Sequence, residues 1–157
     1  MSTRPTVVGW REWVGFPELG LPAVRCKVDT GAATSALHAH DIAILDRDGE
    51  HWARFVVHPF FQRHAGLAVT CEAPVIDERE VTSSSGHREA RIVIGLMFRL
   101  GLKATAPEWP IEVTLTDRRA MRFPMLLGRE AMAGRVLVDP TASFKLGRPD
   151  HPAAFYE

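Results

Sequence analysis

The sequence predicts a small all-β fold with one short helix, and two observations lead to this prediction. Short runs of β-branched and aromatic residues recur along the chain, and glycine, proline or aspartate separates them. A helical pattern is confined to residues 128–134, between two glycines. Many short strands with a single brief helix are typical of a β-barrel or a β-sandwich.

The strands are predicted where these runs occur. In chain order they cover residues 6–14, 23–30, 42–57 as one hairpin, 67–81, 88–100, 108–118, 121–127, 135–140 and 143–147. Asp48 and Gly49 identify the first hairpin because they accept the positive φ angles of a tight turn. The small polar segment 82–87 lies between two long strands and is expected to form the tip of a second hairpin.

Composition predicts one globular domain and argues against partners chosen by bulk charge. The chain has 157 residues, of which 46% are hydrophobic, and 19 basic residues balance 19 acidic ones. This balance lacks the basic excess of a nucleic-acid-binding protein, and no apolar run is long enough to span a membrane. Cys26 and Cys71 are too few for a disulfide framework, so a reduced, cytoplasmic protein is expected. The Pro-rich residues 147–157 are expected to form an exposed C-terminal arm.

The most informative segment is CKVDTGAATSALHA, residues 26–39. It places Asp29 at the end of an apolar strand, where Thr30 offers a hydroxyl and Gly31 leaves space beside the carboxylate. A carboxylate presented on a rigid turn is what a catalytic site requires. The Asp-Thr-Gly tripeptide by itself is also a common turn, so its meaning depends on the rest of the chain.

Two later segments indicate how the Asp29 turn should be interpreted. VDTGA at 28–32 is followed by TSSSGH at 82–87 and by LLGRE at 126–130. In order and spacing, these segments resemble the retropepsin-like aspartic proteases, whose single-lobed chain carries an Asp-Thr-Gly-Ala turn, a flap hairpin and a later hydrophobic-hydrophobic-Gly-Arg segment. Residues 8–146 are similar as a whole to the bacterial and archaeal family labelled putative ATP-dependent zinc protease, which is associated with ATP-grasp glutamate ligases.

The resemblance implies a fold, an activity and a set of site residues. The fold would be a small closed barrel of the single-lobed acid-protease type. The activity would be that of an aspartic peptidase or amide hydrolase, in which two carboxylates share a proton and activate water. Asp29 would be the catalytic residue, and because one chain supplies one such turn, a homodimer would bring two copies together. The residues that would support the active turn are Thr30, Gly31, Ala32, Leu126, Leu127 and Gly128. The residues that would form the flap and contact substrate are Ser83, Ser84, Ser85, Gly86 and His87.

The residues around the predicted site bear on the substrate, which would be a peptide or a glutamylated peptide. Viral members of the resembled family carry an acidic residue where this chain has Ala33, and this difference indicates a different substrate. Basic residues at or after the flap, including Arg88 and Arg91, favour an acidic one. Association with an ATP-grasp ligase would fit a substrate that carries added glutamate.

Two alternative functions stay open at this point. One is a non-catalytic peptide-binding dimer that regulates an ATP-grasp ligase. The other is a zinc-dependent hydrolase, for which His38, His40 and Asp41 are the densest group of candidate ligands, with both histidines on one face of a strand. The leading interpretation expects no metal and no cofactor, because the chain contains neither HExxH nor a phosphate-binding P-loop.

Overall fold

The strand-rich fold predicted from the sequence is present in a computed structural model that describes residues 4–60, 66–82, 86–117 and 122–157. Within these ranges the strands are β1 (Thr6–Val8), β2 (Arg11–Phe16), β3 (Leu21–Val28), β4 (Ser35–His38), β5 (His40–Arg47), β6 (Glu50–Val57), β7 (Val69–Thr82), β8 (Arg88–Arg99), β9 (Glu108–Thr116), β10 (Met125–Leu127) and β11 (Val136–Val138). The helices are α1 (Arg129–Met132) and two 3-10 helices, Pro17–Leu19 and Pro152–Tyr156. A mostly-β chain with one short α-helix is therefore confirmed.

Nine of these strands form one sheet in the order β2-β3-β10-β4-β9-β8-β7-β6-β5. A single further residue pair, Gly15 with Arg99, joins β2 to β8. The closed barrel that the resemblance implies stays a prediction. Large side chains with no exposed surface, including Phe16, Phe55 and Phe98, fill the core of this sheet.

The predicted first strand, 6–14, is divided into β1 and β2 at Gly9. A side chain at Gly9 would meet the carbonyl oxygen of Ala142 at 2.3 Å, so glycine permits a close backbone approach here. The amide of Trp10 then donates to the same carbonyl at 2.9 Å. This contact turns the chain, and β1 pairs in parallel with β11 in a separate two-stranded sheet.

The two predicted hairpins are confirmed where the structure describes them. Asp48 and Gly49 have φ angles of 52° and 85°, as the tight turn between β5 and β6 requires. Strands β7 and β8 pair antiparallel as far as Thr82 and Arg88. Ser83, Ser84 and Ser85, predicted as the tip of this hairpin, lie outside the described residues.

One predicted strand, residues 143–147, is wrong because a buried carboxylate binds this segment instead of a sheet edge. Glu12 has no exposed surface. Its carboxylate accepts hydrogen bonds from the amides of Gly9 at 2.7 Å, Lys145 at 2.9 Å and Leu146 at 3.1 Å. Backbone donors that a strand would direct to a neighbouring strand are satisfied here by a side chain.

The C-terminal residues 147–157 are exposed along most of their length and are anchored near their end. The Tyr156 hydroxyl donates a hydrogen bond to the carbonyl of Ala23 in β3. Its ring packs edge-on against Phe60, with centroids 5.4 Å apart. Among the described residues, no helix is long and apolar enough to cross a bilayer.

Candidate functional site

The Asp29 turn follows β3 and has a fixed backbone. The amide of Asp29 donates to the carbonyl of Leu127 at 2.9 Å. Its carboxylate oxygen Oδ1 accepts the amide of Gly31 at 2.9 Å, and its carbonyl accepts the amide of Ala32 at 3.3 Å. The half-buried carboxylate is therefore held by its own turn, while Thr30 and Gly31 are exposed.

Strand β10 brings the second predicted segment beside this turn. It lies between β3 and β4, parallel to the first and antiparallel to the second. Leu126 pairs with Lys27, and Leu127 pairs with Val28, the residue before Asp29. Segments about a hundred positions apart in the sequence thus become neighbours. The strand β4, which completes this arrangement, was not among the strands predicted in chain order, because its four residues form no separate hydrophobic run.

At Gly128, the backbone after β10 comes close to the backbone of residues 32–34, which follow Asp29. A side chain there would meet the carbonyl oxygen of Thr34 at 2.5 Å, so this contact requires glycine. The amide of Gly128 donates to Ser35 Oγ at 3.0 Å. The next amide, that of Arg129, donates to the carbonyl of Ala32 at 2.8 Å. The structure therefore brings together the predicted residues of the turn and those of LLGRE.

Arg129 also contacts the turn directly. Its Nη1 donates to the carbonyl of Gly31 at 3.2 Å. Gly31 does not have a positive φ angle, and a side chain there would approach Asp29 Oδ1 at 3.1 Å. Glycine at this position leaves space beside the Asp29 carboxylate, and it is not needed for a left-handed backbone conformation.

Two of the predicted flap residues, Gly86 and His87, are described, and they lie between β7 and β8. Gly86 and His87 are exposed, and Gly86 has a φ angle of 83°, which favours glycine. The three serines before them lie outside the described residues.

A cleft of about 760 Å³ lies beside the turn, between α1 and the strands β7, β8 and β9. Thr34 and Ser35, which follow the Asp29 turn, line one part of it, and Trp109 lines another. The Trp109 indole donates to the carbonyl of Ala131 at 3.0 Å, and the guanidinium of Arg135 lies 5.1 Å from its ring centroid. These contacts fix the aromatic wall of the cleft.

Charged side chains also line the cleft. Arg79 contacts Asp77 at 2.8 Å and Glu112 at 2.9 Å. The hydrogen bond from Arg79 holds the pKa of the exposed Asp77 carboxyl below its usual range. Since Arg79 has these two partners, it contributes little free positive charge to the cleft.

Arg91 and Thr116 are buried polar residues on β8 and β9, two strands that line the cleft, although neither residue lines the cleft itself. Side chains alternate along a strand, and Val93 of the cleft wall is two residues from Arg91. Arg91 and Thr116 are 7% and 1% exposed. Arg91 Nε and Thr116 Oγ1 have no hydrogen-bond partner among the described residues. Arg91 was expected near the flap, but its burial was not predicted. The sequence signal that could have indicated this burial is its position next to the apolar run of β8.

The two histidines considered as candidate metal ligands do not come together. His38, at the end of β4, is buried, with its Nε2 4.0 Å from Asp117 Oδ1. His40 begins β5 and instead contacts Asp41 and His58. The shared strand face is therefore wrong, because the chain passes from one strand to another at Ala39. In the described ranges, no group of three or more His, Cys, Asp or Glu side chains could hold a metal ion.

The two cysteines are free and buried. Burial raises the pKa of the Cys71 thiol to about 12, and it raises that of Cys26 further. Neither thiol has the low pKa of a reactive cysteine.

The family of the chain is decided by comparison with known proteins. A family model described as RimB-like, the retropepsin-like aspartic endopeptidase RimB, matches residues 7–149. The chain belongs to the RimB-like family. The retropepsin-like resemblance is thus confirmed, and this membership fits the small β fold.

Curated relatives of this RimB-like chain carry a different kind of name. Three are named probable alpha-L-glutamate ligase, from Parasynechococcus marenigrum, Shewanella pealeana and Desulfotalea psychrophila. They are 49%, 45% and 48% identical over 98%, 94% and 90% of this chain. The matched region is 32%, 31% and 29% of their lengths, so the chain spans about a third of these relatives.

These names correct the predicted activity. The prediction of an aspartic peptidase or amide hydrolase is wrong, because relatives matched over nearly the whole chain are named as ligases. The zinc-dependent hydrolase is wrong for the same reason. The RimB-like family is associated with enzymes, and the words ATP-dependent zinc protease occur neither in its description nor in these names.

A solved structure has the same fold as this RimB-like chain. It is the crystal structure of a Legionella pneumophila protein of unknown function, with a TM-score of 0.75 and 26% sequence identity. The match covers 91% of this chain and 99% of that chain. The arrangement of strands described above therefore recurs in a protein that has no assigned activity.

Proposed function

We propose that this chain is a peptide-binding domain that works with an α-L-glutamate ligase and recognises a glutamate-bearing peptide. The observation that carries the proposal is that the chain corresponds to about a third of proteins named probable alpha-L-glutamate ligase. Because the matching region is part of these longer proteins, we expect it to act on the substrate or the product of the ligase. Here the ligase would be a partner, and its substrate or product would be the ligand.

The cleft supports this proposal through its size and its walls. About 760 Å³ lies within the range of small-ligand sites, which suits a few residues of an extended peptide. Trp109 and Ile111 offer apolar surface, while Thr34 and Ser35 connect the cleft to the Asp29 turn. In this proposal Asp29 acts as a polar contact for the peptide backbone.

Arg91 supports the proposed preference for acidic peptides. It is 7% exposed, its Nε has no hydrogen-bond partner among the described residues, and the distance from its guanidinium to Glu89 is 3.6 Å. Arg91 thus has one ion-pair partner, Glu89, and one unused donor, Nε, and a buried guanidinium with an unused donor favours a carboxylate ligand. The hydroxyl of Thr116, at the end of β9, is also buried and has no hydrogen-bond partner among those residues.

Peptide binding tests the proposal. Fluorescence anisotropy would compare a labelled peptide that ends in a run of glutamates with a matched peptide that ends in glutamines. We expect the glutamate peptide to bind more tightly, and we expect Arg91→Met to weaken it about ten-fold, since a hydrogen bond to a charged group contributes about 1.5–3 kcal/mol. Methionine keeps most of the apolar stem and removes the guanidinium.

Arg54→Met is the matched control, because Arg54 is exposed on β6, away from the cleft. It should leave the affinity for the glutamate peptide unchanged. Urea unfolding of both variants would show whether the fold persists. Equal binding of the two peptides by the unmodified protein would refute the acidic preference, and absence of binding to either would refute the peptide-binding function.

A further inference from the structure

A groove of about 690 Å³ lies between the end of the C-terminal arm, the start of β3 and the start of β7. It shares no lining residue with the cleft described above. Its walls are mostly apolar and include Pro17, Leu21, Pro22, Val69 and Phe155. A concave, largely apolar cavity of this size with few polar groups is typical of a ligand site.

Contacts beneath the groove hold its walls in place. The Tyr156 hydroxyl donates to the carbonyl of Ala23, and the Tyr156 ring packs edge-on against Phe60. Leu67, on the other side, packs against the same small core cluster. Phe155, by contrast, is 42% exposed. The groove is therefore a formed concave surface that presents an exposed aromatic ring.

Arg99, at the end of β8, is the basic residue among those that line the groove. Its position depends on Gly15 of β2, with which it pairs in register. A side chain at Gly15 would meet Arg99 Nη2 at 3.0 Å and Nε at 3.3 Å, so glycine leaves room for the guanidinium against the backbone of β2. Arg99 Nη2 also donates a long hydrogen bond of 3.5 Å to the carbonyl of Pro22. The sheet thus fixes a cation beside the apolar walls.

The charge of Arg99 is not balanced by a carboxylate in the part of the chain that the structure describes. Within these ranges no Asp or Glu side chain lies at ion-pair distance from its guanidinium, and its buried Nε has no hydrogen-bond partner. Glu157, the acidic residue of the groove lining, is exposed and lies beyond that distance. Because apolar surroundings lower the local dielectric, a guanidinium placed there attracts a carboxylate more strongly than one in bulk water.

We propose that this groove binds the C-terminal end of a peptide whose last residue is apolar. The terminal carboxylate pairs with Arg99, and the last side chain packs against the apolar walls. A C-terminal apolar residue matches the groove because it carries a negative charge and an apolar group on the same residue. The groove is separate from the cleft, and this proposal does not depend on the function proposed for the cleft.

Amide ¹⁵N–¹H spectra of the intact chain, recorded during titration with short peptides, would test the proposal. The probe is the acetylated peptide Ser-Ala-Ala-Leu with a free C-terminal carboxylate, and the matched peptide carries a C-terminal amide. We expect the free acid to bind about ten-fold more tightly, because its carboxylate forms a charge-assisted contact. It should shift the amide signals of Gly20, Val69 and Thr70 in the groove and leave those of Ile111 and Thr114 in the cleft unchanged.

Arg99→Met should weaken binding of the free acid about ten-fold and leave the affinity for the amide unchanged. Arg99→Lys, which keeps the positive charge, should bind the free acid more tightly than Arg99→Met. Arg54→Met is the control, since Arg54 is exposed on β6, and it should change neither affinity.

The comparison of the two peptides on the unmodified protein is decisive even if Arg99→Met folds poorly. Equal affinity for the free acid and the amide would overturn the proposal, and so would signal shifts confined to the cleft. Equal affinity for a peptide that ends in serine would overturn the requirement for an apolar last residue. Tighter binding of 4-phenylbutyrate, a small acid with an apolar group, would overturn the assignment of the groove to a peptide.

Discussion

The Glu12 carboxylate binds backbone amides of residues 143–147, the segment that was predicted to be a strand. Its buried carboxylate accepts three amides, from Gly9, Lys145 and Leu146, and so holds the 143–147 segment against the start of β2. In the sequence, Glu12 lies in a run of predicted strand and looks like one of many acidic residues. Its role depends on donors 133 and 134 positions away, which only the folded chain brings near.

The Glu12→Ala variant should be strongly destabilised. Three amides would lose their acceptor at a buried site, and each buried unsatisfied donor costs about 1–3 kcal/mol, so we expect a loss of about 3 kcal/mol or more. Urea unfolding at neutral pH measures this loss. Glu108→Ala, at an exposed position, should change the free energy of unfolding by no more than about 0.5 kcal/mol. A similar small change for Glu12→Ala would contradict the role of the carboxylate.

The buried thiols predict a loss of stability at alkaline pH. Burial raises the pKa of Cys71 from its ordinary value of 9.0 to about 12, and it raises that of Cys26 as well. Because the folded pKa values are raised, the stabilisation is complete below pH 9 and is lost as the pH rises toward the folded values, while the unfolded thiols release their protons. The free energy of unfolding should therefore fall as the pH rises from about 9 toward about 12.

Denaturation curves at these pH values measure the effect. Replacing both cysteines with alanine should make the free energy of unfolding less dependent on pH in this range. The same slope in this double variant and in the unmodified protein would exclude the thiols as its cause.

At the scale of elements, the short strand β10 organises the site. It has three residues, yet it lies between β3 and β4 and places Gly128 against the Asp29 turn. In this position the backbone at Gly128 approaches that of Thr34 closely, which is possible because glycine has no side chain. The motifs VDTGA and LLGRE thus become neighbours through the pairing of β10 with β3, which the local sequence does not specify.

Gly128→Ala should disrupt this unit. The added methyl group would lie 2.5 Å from the Thr34 carbonyl oxygen, and overpacking of this kind costs about 1–3 kcal/mol. Thermal unfolding measures the loss. Gly66→Ala is the matched control, because none of the described residues lies within 4 Å of its added methyl group. Equal effects of the two substitutions would show that the approach at Gly128 is not tight.

At the scale of the molecule, the homodimer stays a prediction, and the β1–β11 sheet is the surface that favours it. Val7 and Leu137 pair in register and are 42% and 58% exposed. Exposed apolar side chains that lie together on a small sheet mark candidate interaction sites. Thr30 of the site and Leu137 line the same surface groove, so a partner on this sheet would contact the Asp29 turn.

Light scattering after gel filtration tests this prediction. The protein should elute with twice the chain mass of 17.5 kDa, and Leu137→Asp should reduce the mass to that of one chain. Ile44→Asp, which adds a charge at another exposed apolar position, should leave the dimer intact. A mass of one chain for the unmodified protein at high concentration would contradict the homodimer.

The sequence by itself determined the elements with strong local signals. These include the β5–β6 hairpin, set by the positive φ angles at Asp48 and Gly49, and the short helix between Gly128 and Gly134. It also determined the family, because the order of VDTGA and LLGRE along the chain is a property of the sequence. Local conformational preference and motif order are both encoded by neighbouring residues.

The tertiary structure decided the contacts between distant residues. It assigned Glu12 to the 143–147 segment, separated His38 from His40, and paired His40 with His58. It also buried Arg91 beside the cleft with an unused donor among the described residues. Each of these depends on which strands become neighbours, and strand order is set by packing of the whole sheet rather than by any local pattern.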